Sequence, residues 1–369
     1  MKKTILALSV TLLTFVNVSA QSSVKDIEFG GRIMYDMATW GDKDMDNVGA
    51  EFRRVRFYNS GKLYGNIKYK LQLDFSGGEI AFKDVYIELN EMPLQGNLRV
   101  GHFKEPSRLE ALTSSKYISF MERGLPIAMS RERNTGAMYH TSFGDKLSIQ
   151  SGVFGEGNSF GNNKDAINNI NITSRITYLA INNGDKLLHI GGSNSIRKNN
   201  DNTYGFSSRA ENHLGNELIS VNFEDVQETN ILGGEIAYVN NSLSIQAEYL
   251  QTTITEVTET EISSYYAQIS YFLTGESKQY KSSLDGFGRV MPNSNYGGGG
   301  LGAIELVARI SNMNLTAANE GTLDDITVGL NWHLNPNTRV MLNYVRGEMT
   351  KGTEISTENA AMMRVQVDF

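Results

Sequence analysis

The 369-residue chain contains no cysteine. That excludes disulfides, thiolate zinc clusters and a thiol nucleophile. Only 5 prolines and 2 tryptophans are present. Beyond the first twenty residues, no apolar run reaches the ~20 residues that a membrane-crossing helix requires. Mean hydropathy is −0.32. Positive charge is also scarce, with 34 Lys and Arg against 41 Asp and Glu. That balance argues against nucleic acid, whose partners carry a basic face. The five histidines (His102, His140, His189, His213 and His333) are scattered without metal-ligand spacing. The run Gly297 to Gly300 is not followed by the Lys-Ser or Lys-Thr of a phosphate-binding loop. Neither metal nor cofactor is expected, and no catalytic residue stands out.

What is present begins at the N-terminus. Lys2 and Lys3 precede an apolar stretch from Ile5 to Val16, and Val18-Ser19-Ala20 supplies small residues before Gln21. That is the grammar of a cleavable secretory leader, expected over residues 1–20. Without its two lysines the chain carries 32 basic and 41 acidic side chains, a net charge of −9. Residues 21–369 are expected to form one domain.

The dominant periodicity is two, not 3.6. Ile67, Tyr69, Leu71, Leu73 and Phe75 alternate with Lys68, Lys70, Gln72 and Asp74. Each strand residue points to the side opposite its neighbour, so this segment has one oily and one ionic face. The pattern recurs at Tyr265 to Leu273, Ile326 to Leu334, Val340 to Tyr344 and Met363 to Phe369. Turn signals such as Asn182-Asn183-Gly184-Asp185 and Asn335-Pro336-Asn337 separate the runs.

A soluble β-sandwich alternates too. Fully charged polar faces, aromatic residues near strand ends and alternating short and long connections favour a transmembrane antiparallel β-barrel, which hides from hydropathy scans. Sixteen strands are expected, starting near residues 28, 51, 65, 81, 97, 135, 147, 171, 186, 231, 243, 262, 301, 323, 338 and 361. The connections after strands 2, 4, 6, 8 and 14 read as hairpin turns, and those on the other side as generally longer. Residues 274–300 break this scheme, being long where a short turn belongs.

Several segments resemble one family. They are Glu51-Phe52-Arg53-Arg54-Val55-Arg56-Phe57, Gly61-Lys62-Leu63-Tyr64-Gly65, Lys83-Asp84-Val85-Tyr86-Ile87-Glu88-Leu89, Arg99-Val100-Gly101-His102-Phe103-Lys104-Glu105-Pro106 and Phe120-Met121-Glu122-Arg123-Gly124-Leu125-Pro126. Further on come Tyr271-Phe272-Leu273-Thr274-Gly275-Glu276-Ser277, Phe287-Gly288-Arg289-Val290, Glu305-Leu306-Val307-Ala308-Arg309 and Gly329-Leu330-Asn331-Trp332. Together they resemble the porin O and P family of phosphate-selective porins. The resemblance implies a 16-stranded barrel with inward-folding loops in the outer membrane of a Gram-negative bacterium. It implies a homotrimer, and an arginine ladder guiding small anions such as phosphate or polyphosphate. Arg32, Arg53 and Arg54 match ladder positions, and Asp84 and Arg123 match the constriction. Phe369 is similar to the C-terminal signal read by the barrel assembly machinery.

The residues themselves also suggest a pathway. The connection from Lys104 to Asn134 carries six basic residues, among them Lys104, Lys116 and Arg123, against four acidic ones. Folded into a barrel, such charges act through a confined, poorly screened passage. Inferred lumen faces carry ten basic residues, including Arg32, Arg54, Arg56, Lys68, Lys70 and Arg99, against eight acidic ones. Arg54, Arg56, Lys68 and Lys70 form either one basic wall or ordinary pairs with Asp74, Asp84 and Glu88. Arg197 to Asn230, read as an outer loop, is acidic (three basic, six acidic), which argues against strict phosphate selectivity. The expected function is passive diffusion with anion preference. The alternative is a barrel plugged by its long segments, acting as a surface binding or structural protein. An outer-membrane hydrolase ranks below both.

Overall fold

The computed structural model describes residues 24–162, 170–198 and 202–369. The expected leader lies outside the described residues.

Among the described residues, twenty strands follow in chain order. The first nine are β1 (Val24–Gly41), β2 (Asn47–Leu63), β3 (Ile67–Asp74), β4 (Ala81–Met92), β5 (Gly96–Lys104), β6 (Arg133–Phe143), β7 (Leu147–Gly155), β8 (Ile170–Asn183) and β9 (Lys186–Lys198). Next come β10 (Tyr204–Arg209), β11 (Glu217–Phe223), β12 (Glu228–Asn240), β13 (Leu243–Thr255), β14 (Glu259–Phe272), β15 (Tyr280–Ser282) and β16 (Gly286–Phe287). The last four are β17 (Ala303–Asn314), β18 (Thr322–Asn335), β19 (Thr338–Lys351) and β20 (Glu354–Asp368). Sixteen of them close into one antiparallel barrel, leaving β10–β11 and β15–β16 as separate two-stranded sheets.

The expected starts at 81, 147, 186, 243 and 338 coincide with the observed ones. The largest error is at β20, expected at 361 and found at 354. Its opening residues, Glu354 to Glu358, hold a single apolar side chain, Ile355, and so carry no alternation to read. Closure joins β1 to β20, from Arg32 opposite Asp368 to Gly41 opposite Asn359. The last residue completes the seam: the Gly31 amide donates to the Phe369 carbonyl at 2.8 Å. A closed sheet has no open edge to aggregate.

Burial is inverted relative to a water-soluble protein. Phe29, Ile33, Phe57, Leu71, Ile87 and Val100 are exposed on the outer wall, while Arg32, Arg54, Asp74, Glu88, Arg175 and Arg364 are buried inside. An apolar belt outside and charge within is the pattern of a membrane barrel. The rim that carries both termini has short turns at 64–66, 93–95, 144–146, 184–185, 241–242 and 336–337. Gly65, Gly144 and Gly184 adopt φ of 88°, 59° and 57° there, a conformation that side chains with a Cβ rarely take. The opposite rim carries the generally longer connections, such as 105–132, although 256–258 and 352–353 are tight turns.

Among the described residues, three segments fold inward. The β5–β6 connection, 105–132, carries α1 (Leu109–Leu112) and a 3₁₀ turn at Leu125–Met129. The β10–β11 hairpin, read from sequence as an outer loop, enters the lumen instead. Its Tyr204, Ile219, Val221 and Phe223 bury against Leu250, Ile254, Ile262, Met313 and Leu323 of the wall. Those wall residues point into the barrel, so only an apolar insert keeps them from water. The long β14–β17 connection enters from the terminal rim and buries Phe287 against Leu109, Leu187 and Val239.

Candidate permeation pathway

Because the hairpin fills the lumen beside β12–β18, free space is displaced toward β1–β6. There lies a cavity of about 880 Å³, walled on one side by those six strands and on the other by the β5–β6 and β14–β17 connections. Twelve Lys and Arg side chains line it, against five Asp and Glu. It is therefore strongly cationic inside a chain whose total charge is negative.

The structure brings nine of the eleven expected pathway residues to this cavity: Arg32, Arg56, Lys68, Lys70, Asp84, Arg99, Lys104, Lys116 and Arg123. Arg53 and Arg54 do not line it. A β-bulge explains them. Met34 pairs with Arg54 and Tyr35 with Phe52, which leaves Arg53 as an extra residue. A bulge re-aims side chains, and here two consecutive arginines reach one acid. Arg53 makes two hydrogen bonds to Glu122 at 2.8 and 2.9 Å, and Arg54 lies 3.7 Å from it. Arg364 adds a third contact at 3.1 Å while clasping Asp36 at 2.6 and 2.7 Å. Burial pushes the Glu122 carboxyl up, but Arg53 and Arg54 outweigh it and hold it well below the ordinary carboxylate range. These arginines anchor the tip of the inward loop.

Most lining cations are likewise paired. Arg56 meets Asp74 at 2.7 Å, Lys68 meets Glu88 at 3.4 Å and Lys70 meets Asp84 at 3.1 Å. Of the two arrangements open for Arg54, Arg56, Lys68 and Lys70, the structure shows pairing: Arg56, Lys68 and Lys70 meet Asp74, Glu88 and Asp84 across neighbouring strands, while Arg54 turns to Glu122 of the inward loop, the arrangement that costs least inside a confined lumen. Arg99 shares Glu88 with Lys68, and Arg133 shares Asp84 with Lys70. Lys104 caps the last turn of α1, donating to the carbonyls of Ala111, Leu112 and Thr113. Arg123 donates to the Glu110 and Thr113 carbonyls, each at 3.0 Å, and pairs with Glu132 at 3.2 Å. Lys116 reaches Asp368 at 3.3 Å.

Arg32 differs. Among the described residues it is the one lining cation with no ion-pair partner. Its Nη1 donates to the hydroxyls of Ser115 at 2.7 Å and Ser114 at 3.2 Å. A guanidinium held by neutral hydroxyls keeps its charge available to a passing anion.

Several lining groups were not expected from sequence. Ser114 and Ser115 carry no sequence signal. Arg289 sits inside the family-like segment Phe287 to Val290, and the resemblance could have drawn attention to it. It packs over Tyr117 at 5.5 Å and pairs with Asp368. The acidity of the 197–230 connection is partly neutralised inside the barrel, because Glu211 is buried and bound by Arg309, Ser311 and Thr327. Asp201 of that connection lies outside the described residues. The histidines are all engaged with neighbours. His140, His189, His213 and His333 contact Glu88, Glu235, Glu51 and Glu305, and His102 contacts Thr135.

Comparison with known proteins agrees with this geometry. Porin O of Pseudomonas aeruginosa is 24% identical over 374 residues, covering 88% of this chain and 84% of that protein. Among solved structures, an anion-selective porin from Comamonas acidovorans aligns with a TM-score of 0.59 at 13% identity, over 94% of this chain and 100% of that one. A trimer form of OmpT from Vibrio cholerae aligns with a TM-score of 0.58 at 11% identity, over 94% and 100%. The model of the family described as phosphate-selective porin O and P matches residues 27–369. With that match across nearly the whole described barrel, the chain belongs to the porin O and P family of outer-membrane porins.

Proposed function

We propose that this porin passes small anions by diffusion, with the basic cavity along β1–β6 as its selective region. The observation that carries the reading is the lining of twelve basic against five acidic side chains. Paired cations still contribute: the cavity's net charge is positive, and low-dielectric walls focus its field onto a permeating ion. Arg32 lines the cavity with a guanidinium that has no carboxylate partner, a group suited to oxyanions, so phosphate and polyphosphate are the proposed preferred solutes. The likeness to Pseudomonas porin O and to an anion-selective Comamonas porin supports the reading by analogy.

The zero-current potential across a planar bilayer in a KCl gradient tests it. The sign of anion selectivity is expected, together with reduced chloride current on adding millimolar phosphate. Cation selectivity overturns the proposal. A second reading, a plugged barrel serving as a surface or structural protein, is favoured by the pinning of all three inward segments by ion pairs or buried packing. Liposome swelling separates the two, since a plugged barrel admits no small solute. A channel rather than a hydrolase is the reading that family and fold support. The homotrimer is proposed by analogy with the Vibrio neighbour. Recognition of Phe369, which follows the closing strand β20, by the barrel assembly machinery is proposed from the family resemblance.

A further inference from the structure

The β14–β17 connection does two things at once. Its first limb lies in the lumen: Tyr280 Oη meets His189 Nδ1 at 3.0 Å, Arg175 donates to the Ser283 carbonyl at 2.6 Å, and the Phe287 amide donates to Thr113 at 3.2 Å. Its second limb, residues 291–302, lies on the outer wall. Trp332 alternates with inward Asn331 and His333 on β18, so its indole faces outward. Tyr296 packs edge-on against that indole at 5.0 Å, and Trp332 Nε1 donates to the Leu301 carbonyl at 2.7 Å. The Tyr296 amide extends the β18 ladder by donating to the Leu334 carbonyl at 2.7 Å. The connection therefore straddles the rim that carries the termini, which is the periplasmic rim of an outer-membrane porin. At the start of the second limb, Asn293 is tied back to Glu276 and Thr274.

The outer limb has the chemistry of a membrane interface. From Val290 to Ile304 there is no charged residue. Met291, Tyr296 and Leu301 are exposed, and they continue the apolar belt formed by Leu273, Tyr271 and Leu306. Tyr and Trp keep one end apolar and one end hydrogen-bonded, which suits the boundary between headgroups and acyl chains. Irregular backbone is excluded from the hydrocarbon itself, so a loop with this composition belongs at that boundary.

We propose that residues 291–301 form a foot embedded in the phospholipid interface of the periplasmic leaflet, and that this foot tethers the lumenal limb 277–290. The bilayer then holds part of the constriction in place. The inference needs the outer-membrane location but not the anion preference.

The absence of cysteine makes the test direct. Leu301→Cys and Val257→Cys, the latter 97% exposed on the opposite rim, are each labelled with an environment-sensitive fluorophore in full-length protein reconstituted into phosphatidylcholine vesicles. The Leu301 label is expected to emit further to the blue. Shallow nitroxide lipids should quench it roughly twofold or more above the Val257 label, and aqueous iodide should quench it less. Equal iodide access at both sites overturns the foot. Shielding from iodide without lipid quenching means a protein partner covers the limb, and overturns it as well. Tyr296→Ser and Leu301→Ser, with Met291→Ser held in reserve if either fails to fold, are expected to widen the spread of single-channel conductance. An unchanged conductance distribution in folded variants refutes the tether.

Discussion

Arg32 and Arg53 are both lumenal arginines on neighbouring strands, yet their surroundings assign them different work. Arg32 is held by two serine hydroxyls and faces the cavity. Arg53 spends its fork on Glu122. Arg32→Ala is therefore expected to lower the chloride-to-potassium permeability ratio more than Arg53→Ala, as read from reversal potentials in a KCl gradient. Equal losses would show that fixed charge alone, not its availability, sets selectivity. Glu122 gives the complementary case. With its pKa depressed, the clamp it forms with Arg53, Arg54 and Arg364 is fully present above the ordinary carboxylate value of 4.5 and lost only as pH falls through its lower folded value. Conductance governed by this clamp should stay constant from neutral pH to about pH 5. Glu122→Gln leaves Arg53 and Arg54 without their carboxylate, while Arg364 keeps Asp36, a loss of about 3 kcal/mol for a largely buried network. It should bring noisy openings already at neutral pH.

At the scale of elements, the lumen divides between two inserts of opposite character. The β10–β11 hairpin is an apolar wedge against β12–β18, whereas the β5–β6 loop is tied to the wall by the ion pairs Glu122–Arg53, Glu105–Arg197 and Glu110–Arg309. The hairpin is what displaces the open space toward the basic wall. Replacing residues 204–223 with a short Gly-Ser linker should enlarge single-channel conductance and weaken anion preference, because ions gain a route away from Arg32. It should also lower the temperature at which the barrel unfolds in heat-modifiable electrophoresis, since Leu250, Ile254, Ile262, Met313 and Leu323 would meet water. An unchanged conductance would mean that the hairpin does not bound the pathway.

For the whole molecule, the governing fact is closure. Sixteen strands leave no unpaired edge, and the seam between β1 and β20 is completed by the final residue. The molecule is stable in a bilayer because the backbone is satisfied around the ring and the outer face is apolar. Charge that a soluble protein would place outside is turned inward, where most of it forms pairs. A small unpaired remainder defines the pathway.

The barrel is legible in the chain without the fold. Period-two alternation, short turns at one rim and an even set of strands are local features, and the twofold pleat turns each of them into geometry without reference to distant residues. Lumen-facing charges are legible for the same reason: facing in or out is a matter of parity along a strand. Partnering is settled only when the chain has folded. No local pattern shows that Glu122 meets arginines from β2 and β20, that a bulge turns both Arg53 and Arg54 inward, or that the β10–β11 hairpin of the acidic 197–230 connection enters the lumen rather than crowning it. Those outcomes depend on which segments the closed wall leaves room for, and on apolar wall positions such as Ile254 and Leu323 that face inward and need a cover. The availability of Arg32 arises at the same level, because it follows from two serines contributed by a loop more than eighty residues away.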